Sequence, residues 1–389
     1  MMKNRNLLHT LLCMLSYVLV AALASCATLF LFVEPEKPDK VKELRTLIQN
    51  CFIGEVTDTQ LNDGAAAGMV AATGDRWSYY IPASEYASHM EQMKNEYVGI
   101  GVTISSALGE KGFQVLSVDP QGGAYDAGIL AGDVISKVAG QSVLDLGADG
   151  AKEQIRGDAD TSVKLTVLRG EEELELDVVR KRIQVIVAKG EMLPDSIGLV
   201  TIENFDDRCA SETLAAIQSL VEQGAKALIF DVRFNPGGYK TELVEVLDHL
   251  LPEGPIFRSI NYDGEETVSE SDAQQLELPM AVLVNESSYS AAEFFAAALS
   301  EYDKAVIVGE ATTGKSYFQN TFQLSDGSAV GLSVGKYCTP KGVSLAEVGG
   351  LKPDVEVKVD DETWQKIYAN TLKPEEDPQI QAAIAALEQ

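Results

Sequence analysis

Residues 227–238 of the sequence read ALIFDVRFNPGG, four apolar residues followed by a mixed segment that ends in a pair of glycines. A short apolar run beside turn residues is typical of a buried strand. Comparable apolar runs occur at residues 197–202, 280–284 and 305–308, and helical patterns occur at 210–223, 240–251 and 291–302. Continuous apolar strands that alternate with helices predict an α/β sheet covered on both faces. We therefore expect functional residues where these strands end.

The composition excludes some classes of partner. The chain has 389 residues, with 31 Lys and Arg against 59 Asp and Glu, and a formal net charge of −28. Such a chain repels nucleic acid unless its cations form a separate basic stripe, and here they are scattered. Nucleic acid is therefore not an expected partner. The hydrophobic fraction of 46% excludes a disordered chain.

The N-terminus predicts a membrane anchor. A short, positively charged segment, residues 1–6, precedes residues 7–33, which contain no charged side chain. A membrane-spanning helix needs about 20 apolar residues, whereas the apolar region of a cleavable signal peptide has roughly 7 to 15. The positive flank predicts a cytoplasmic tail at 1–6, a transmembrane signal anchor at 7–33 and an extracytoplasmic remainder. Residues 23–26, LASC, resemble a bacterial lipobox, so a lipoprotein anchored at Cys26 is the alternative.

Changes in pattern divide the rest of the chain into four parts. Helical patterns at residues 41–48, 63–73 and 85–95 predict a helical N-terminal region over 34–95. Short alternating strands with Gly-rich turns, including a hairpin between 163–167 and 174–178, predict a β-rich module over 96–185. The α/β core covers residues 186–372, and a C-terminal helix covers 373–389.

The cysteines indicate neither a disulfide framework nor a metal site. Cys51, Cys209 and Cys338 are the three that lie outside the predicted anchor, and they are widely spaced with no CxxC pair. We expect these three to be small buried hydrophobic residues. No metal or cofactor is expected.

Residues 309–316, GEATTGKS, match the phosphate-binding pattern GxxxxGK[ST]. A working phosphate-binding loop opens a helix whose N-terminus faces the phosphates. Residues 318–324 alternate like a strand instead. Nucleotide binding is therefore the less favoured interpretation, and Lys315 is available for another role.

A serine nucleophile is predicted at Ser290. Residues 285–293, NESSYSAAE, form a strand end that turns directly into a helix, with Ser290 near its first turn. The free amides and the positive end of the helix dipole would face an oxyanion formed there. Gly237 and Gly238 lack a Cβ, so their amides can approach a substrate closely and complete an oxyanion hole. Taken singly, such serines are caps and such glycines form turns; their conjunction at neighbouring strand ends favours catalysis.

The base for this serine is predicted to be a lysine. Of the three histidines, His9 lies in the predicted anchor, His89 in the N-terminal helical region and His249 inside a helix. A lysine acts as a base when burial lowers its pKa. Lys315 has apolar neighbours, and Gln319, four residues later, is placed to orient the amine. The alternative for Lys315 is a solvated loop residue.

These segments together resemble the carboxyl-terminal processing peptidases, or tail-specific proteases, of the S41 serine peptidase family. The family's SASASE, GKGTVQ and DVRxNPGG segments are similar to residues 288–293, 314–319 and 231–238. The resemblance implies a crotonase- or ClpP-like mixed sheet with helices. It also implies a Ser290–Lys315 dyad, with the Ala291 amide and a glycine amide as the oxyanion hole.

The resemblance identifies the β-rich module as a PDZ domain. Its carboxylate-binding loop is similar to Gly99, Ile100, Gly101 and Val102. The implied function is a membrane-anchored serine endopeptidase whose PDZ domain captures the C-terminal tail of a protein substrate as an added strand. The resemblance also implies a possible homodimer through the N-terminal helices. The alternatives are a non-catalytic PDZ adaptor with a protease-like domain and, less favoured, a nucleotide-binding protein.

Overall fold

The computed structural model describes residues 14–23, 39–105 and 109–388. The chain forms two compact units, Met1–Thr73 and Gly74–Gln389. Among the described residues, no helix is both long enough and apolar enough to cross a membrane. The predicted anchor at residues 7–33 lies mostly outside the described residues, as do residues 1–6 and Cys26.

The first unit contains two capped helices, α1 (Lys40–Cys51) and α2 (Asp58–Ala71). The carboxylate of Asp39 accepts hydrogen bonds from the first amides of α1, which fixes where that helix begins. The helix predicted from residue 63 begins earlier, at Asp58, because Thr57 and Gln60 form a capping box there.

The β-rich module is a small sheet domain within the second unit. The elements that precede the α/β core are, in chain order, β1 (Tyr79–Ile81), α3 (Ala83–Met93), β2 (Glu96–Gly99), β3 (Val102–Ile104), β4 (Phe113–Val118), α4 (Gly123–Asp126), β5 (Val134–Val138), β6 (Gln141–Ser142), α5 (Val143–Ile155), β7 (Ser162–Arg169), β8 (Glu172–Val179) and β9 (Lys181–Gln184). Strands β3, β4, β5, β7 and β8 form one sheet in that order, β6 lies beside β5, and β2 pairs with β9. The predicted hairpin is confirmed as β7 and β8, with Arg169 opposite Glu172.

The core is an α/β sheet with a second, smaller sheet beside it. Its elements are β10 (Ala188–Leu193), β11 (Ile197–Ile202), α6 (Cys209–Glu222), β12 (Ala227–Asp231), α7 (Lys240–Leu250), β13 (Gly254–Asn261), β14 (Glu266–Ser271), β15 (Met280–Val284), α8 (Ala291–Glu301), β16 (Ala305–Gly309), β17 (Tyr317–Gln323), β18 (Ala329–Cys338), α9 (Leu345–Val348), β19 (Val355–Glu356), α10 (Asp361–Tyr368) and α11 (Pro378–Leu387). The main sheet has the order β10, β11, β12, β15, β16, β19, and its strands are parallel from β11 onward.

The predicted burial of both faces of the main sheet is confirmed. Phe230 and its neighbours on one face pack with buried residues of α6, α7 and α8. Ile229 and the alternate residues pack on the other face against Ile380 and Ala383 of α11. Because β12, β15 and β16 are adjacent and parallel, the segments that follow them meet at one edge of the sheet.

The second sheet includes a strand from the beginning of the second unit. Its order is β1, β18, β13, β14, and β17 also pairs with β18. Tyr79 lies opposite Gly331. The segment around β1 is therefore part of this second sheet of the core, although the sequence analysis assigns it to the predicted helical region.

The cysteine prediction is correct for two residues and wrong for one. Cys209 and Cys338 are buried, whereas Cys51 is exposed. Cys51 is the last residue of α1, which has no buried residue, so helical periodicity there does not indicate burial.

Candidate active site

Ser290 lies between β15 and α8, at the N-cap position of the helix. The preceding turn is fixed by Ser288, whose hydroxyl donates to the Val232 carbonyl at 2.7 Å and accepts from the Asn285 amide at 3.0 Å. These bonds join the end of β15 to the end of β12. Ser290 has φ of 58° and ψ of −125°, a conformation that is rare for a residue with a side chain. The strained turn presents Ser290 at the start of the helix.

Gly237 lies directly against this turn. A Cβ at Gly237 would lie 2.7 Å from the Ser290 Cβ and 2.8 Å from the Ala291 nitrogen, so only glycine allows the two backbones to approach this closely. The Gly237 amide donates to the Asn235 Oδ1 at 2.8 Å. The Gly238 amide, by contrast, has no hydrogen-bond acceptor among the described residues. Ala291 is the first helical residue, where an amide has no intrahelical partner. The Gly238 and Ala291 amides are thus available for an oxyanion.

The amine of Lys315 lies against two aromatic rings. Its Nζ is 4.6 Å from the centroid of the Trp77 ring and 5.6 Å from that of Tyr289. The two rings are stacked, with centroids 6.0 Å apart. No carboxylate or hydrogen-bond acceptor contacts this amine among the described residues. Since Tyr289 immediately precedes Ser290, the amine lies on the same side of the site as the serine turn.

The surroundings lower the pKa of Lys315 below its ordinary value. Burial is the largest cause, and the positive charge of Arg76 acts in the same direction. The negative charges of Asp75 and Glu293 oppose the shift. Burial also raises the pKa of Asp75, but hydrogen bonds from Ser333, Ser78 and the backbone outweigh it and hold that pKa below its ordinary value. The lowered lysine pKa favours the neutral amine that a general base requires.

The structure does not place Gln319 against Lys315. The Gln319 Nε2 donates to the Tyr317 carbonyl at 3.0 Å and to the Ser333 Oγ at 2.9 Å. Ser333 in turn hydrogen-bonds to Asp75. The orienting role of Gln319 stays a prediction, with an indirect link through Ser333 as its structural basis.

Glu293 and the segment that contains Asp75 and Trp77 lie within the stretches that resemble the family, but the sequence assigns them no role in the site. Glu293 is completely buried, and its carboxylate accepts hydrogen bonds from the Ser290 and Lys315 amides. An acidic residue three positions after a serine is a capping-box pattern, so a local signal for Glu293 existed. No local signal places Trp77 beside Lys315, because the two are far apart in the sequence.

The phosphate-binding interpretation conflicts with the local structure. Residues that follow Lys315 form strand β17 and not a helix, as the alternation predicts. The Gly314 and Lys315 amides, which a phosphate would need, already donate to Glu293 at 2.6 and 2.8 Å.

The predicted carboxylate-binding loop joins β2 to β3 in the β-rich module. Gly99 ends β2 and Val102 begins β3, while Ile100 is buried. The Ile100 carbonyl accepts from the Ala124 amide, and the Gly101 carbonyl accepts from the Asp119 amide, both at 2.9 Å. The loop is thus held by backbone bonds to residues 119–124.

Comparisons with known proteins agree with this arrangement. Residues 196–357 match peptidase family S41, and residues 114–169 match a PDZ domain. The carboxy-terminal processing protease CtpA of Bacillus subtilis is 33% identical over 330 residues, which cover 84% of this chain and 70% of that protein. A CtpA-like serine protease of Staphylococcus aureus is 30% identical over 325 residues, covering 82% of this chain and 64% of that protein. A solved S41 protease structure from Bacteroides fragilis shares the fold, with a TM-score of 0.53 and 17% identity over 91% of this chain and 99% of that one.

The fold, the serine turn and these matches define a serine-type protease, which is a hydrolase. The chain belongs to peptidase family S41, in the group of carboxy-terminal processing proteases, and it carries a PDZ domain.

Proposed function

We propose that the protein is an endopeptidase in which Ser290 is the nucleophile and Lys315 the general base, acting on protein substrates whose C-terminal tails bind the PDZ domain. The observation that carries the proposal is the position of the Lys315 amine. It lies against Tyr289, next to Ser290, without an acceptor among the described residues. A lysine in these surroundings is suited to take a proton.

The proposed reaction begins when neutral Lys315 accepts the proton of the Ser290 hydroxyl. The serine oxygen attacks the peptide carbonyl carbon, and the Gly238 and Ala291 amides donate to the oxyanion. Collapse of this intermediate breaks the C–N bond, and Lys315 returns the proton to the leaving amine. Lys315 then takes a proton from a water molecule, whose oxygen attacks the acyl carbon. The C–O bond to Ser290 breaks, and Lys315 returns the proton to the Ser290 oxygen.

The remaining parts of the proposal concern recognition and location. The substrate tail adds as a strand to the PDZ sheet, with its carboxylate at residues 99–102. Residues 7–33 hold the protein in the cell membrane with the catalytic domain outside the cytoplasm, or a lipid on Cys26 does so. Helix α1 exposes Val41, Leu44 and Leu47, and these apolar side chains support a homodimer.

The test uses the full chain and a fluorogenic peptide with either a free or an amidated C-terminus. Ser290→Ala should abolish both cleavage and labelling by a fluorophosphonate, and Lys315→Ala should lower kcat/KM by about 10²- to 10⁴-fold. Amidation should raise KM, because it removes the carboxylate that the PDZ loop binds. Full activity in Lys315→Ala would show that the base is another group. A wild-type chain that neither cleaves nor labels would favour the non-catalytic adaptor.

A further inference from the structure

We propose that Glu293 is a positioning residue for catalysis, because one carboxylate oxygen holds the backbone of the nucleophile and the backbone of the base together. This inference rests on the Ser290–Lys315 chemistry proposed above. It assigns to Glu293 a task beyond capping its own helix.

The Glu293 carboxylate accepts four hydrogen bonds. Its Oε2 accepts from the Ser290 amide at 2.9 Å and from the Lys315 amide at 2.8 Å. Its Oε1 accepts from the Gly314 amide at 2.6 Å and from the Thr312 hydroxyl at 2.5 Å. The nitrogens of Ser290 and Lys315 are therefore each one hydrogen-bond length from the same atom.

The four donors fit an ionised carboxylate, which is an acceptor at about four lone-pair positions. The Thr312 hydroxyl can donate its hydrogen to Glu293 while its oxygen accepts from the Leu351 amide at 2.8 Å. A protonated Glu293 would direct its own hydrogen at one of these donors. Burial raises the pKa of Glu293 above its ordinary value, and the four hydrogen bonds reduce this rise without cancelling it. The arrangement of donors favours the anion.

A capping box alone does not explain these contacts. Of the two reciprocal bonds of a capping box, only the one from the Ser290 amide involves the Glu293 carboxylate. The other three donors come from residues 312–315, which follow β16 and belong to the loop that carries the base. Glu293 is completely buried, so no solvent competes for these bonds. The carboxylate thus fixes the distance between the serine turn and the lysine loop.

The experiment compares full-chain Glu293→Gln with wild type in steady-state cleavage across pH. The glutamine NH₂ would face backbone donors, so the two loops should separate. We expect kcat to fall about 100-fold, the effect of a small misplacement of reacting groups, with little change in KM. The acid limb of the pH profile should also move to lower pH. The reason is that Glu293 raises the pKa of Lys315, while Asp75 and Arg76, the other charges facing the amine, remain.

Glu212→Gln is the matched control. Glu212 also accepts from two backbone amides, those of Val187 and Ala188, but it makes no contact with the serine turn or the lysine loop among the described residues. It should lower stability without moving the acid limb. A folded Glu293→Gln with wild-type kcat and an unmoved acid limb would overturn the proposal.

If Glu293→Gln does not fold, Thr312→Val decides. It removes one donor to Oε1, together with the acceptor of the Leu351 amide, and leaves both bonds to Oε2. We expect kcat to fall about tenfold, the value of one ordinary hydrogen bond. An unchanged kcat in folded Thr312→Val would then contradict the proposal.

Lys315→Ala separates the positioning role of Glu293 from the proposed Ser290–Lys315 chemistry. If it is fully active, the proposed chemistry fails; if it is inactive while Glu293→Gln is normal, only the positioning role fails.

Discussion

Gly237 shows how little space separates the glycine pair from Ser290, the proposed nucleophile. We predict that Gly237→Ala lowers kcat/KM by about 100-fold, because the added Cβ would lie 2.7 Å from the Ser290 Cβ and would push the serine turn away. The measurement is peptide cleavage by the folded variant.

Gly224→Ala is the control for backbone strain. Gly224 has φ of 94°, close to the 89° of Gly237, but a Cβ there would meet nothing within 4 Å. It should cost about 1 kcal/mol of stability and leave cleavage unchanged. Equal losses of activity in both variants would show that strain, and not contact with Ser290, is the cause.

The charges around Lys315 predict opposite shifts of the pH profile. A general base works in its neutral form, so activity should rise with pH through the pKa of Lys315. Arg76 lowers this pKa and Asp75 raises it. Arg76→Gln should therefore move the acid limb of kcat/KM to higher pH, and Asp75→Asn should move it to lower pH. Shifts of the same sign in both variants would contradict a direct charge effect on Lys315.

The sequence predicts residues whose signal is local and misses those whose role depends on distant contacts. Ser290 and Lys315 stand at recognisable strand ends, and the structure places the Lys315 amine beside the serine turn. Trp77, by contrast, contacts Lys315 only because β1 joins the second sheet of the core. No periodicity near residue 77 could reveal a partner so far along the chain.

At the scale of elements, Arg233 connects the main sheet to the last helix. Its guanidinium donates to Asp231 at the end of β12 and to Asp377, the N-cap of α11. We predict that Arg233→Ala lowers the free energy of unfolding by about 3–5 kcal/mol, because it leaves the buried carboxylate of Asp377 and the partly buried carboxylate of Asp231 without their cationic partner. Urea denaturation measures this change.

Lys336→Ala is the comparison for an exposed ion pair. Lys336 and Glu347 have side chains that are 40% and 67% exposed, and solvent screens such pairs. We expect no measurable change in the midpoint of denaturation. A comparable loss in both variants would mean that burial of Arg233 does not govern its contribution.

Helices and strands are predictable from the sequence where the hydrophobic pattern is strong. The buried strands β11, β12, β15 and β16 appear at the predicted positions because every residue in their centres is apolar. Strand β18 was not predicted, because its glycines interrupt the alternation and most of its residues are only half-buried. Helix α10 was also missed. Its place depends on Trp364 and Tyr368, which pack against Phe234 from another part of the chain.

At the scale of the whole molecule, the partly buried carboxyl of Asp206 predicts a pH-dependent stability. Burial, together with the charges of Asp207 and Glu242, raises the pKa of Asp206 to about 7 from 3.8. A carboxyl whose pKa is raised by folding favours the folded state in its protonated form. The native protein should therefore lose stability as the pH rises from about 4 to 7.

Asp206→Asn tests this origin. The variant should be more stable than wild type at pH 8, by up to about 4 kcal/mol, and the difference should disappear near pH 4. Urea denaturation at both pH values measures the two differences. Asp207→Asn removes the same charge at an exposed position and should have a smaller effect. A pH-independent difference for Asp206→Asn would indicate altered packing and not titration.

The pairing of β1 with β18 and of β2 with β9 has a consequence for folding during synthesis. Strand β1, which belongs to the second sheet of the core, comes before the PDZ domain in the chain. The PDZ domain is inserted between β1 and the rest of the core, and its two ends lie side by side, since Glu96 lies opposite Gln184. The inserted domain is local in sequence and can fold early on the ribosome. Strand β1 must wait for about 250 further residues, at an elongation rate of roughly 5–20 residues per second. From the end of β9 (Gln184) to the end of β18 (Cys338) the ribosome adds about 150 residues. We therefore expect the nascent protease to spend roughly 8–30 seconds with a completed PDZ domain and an inactive core.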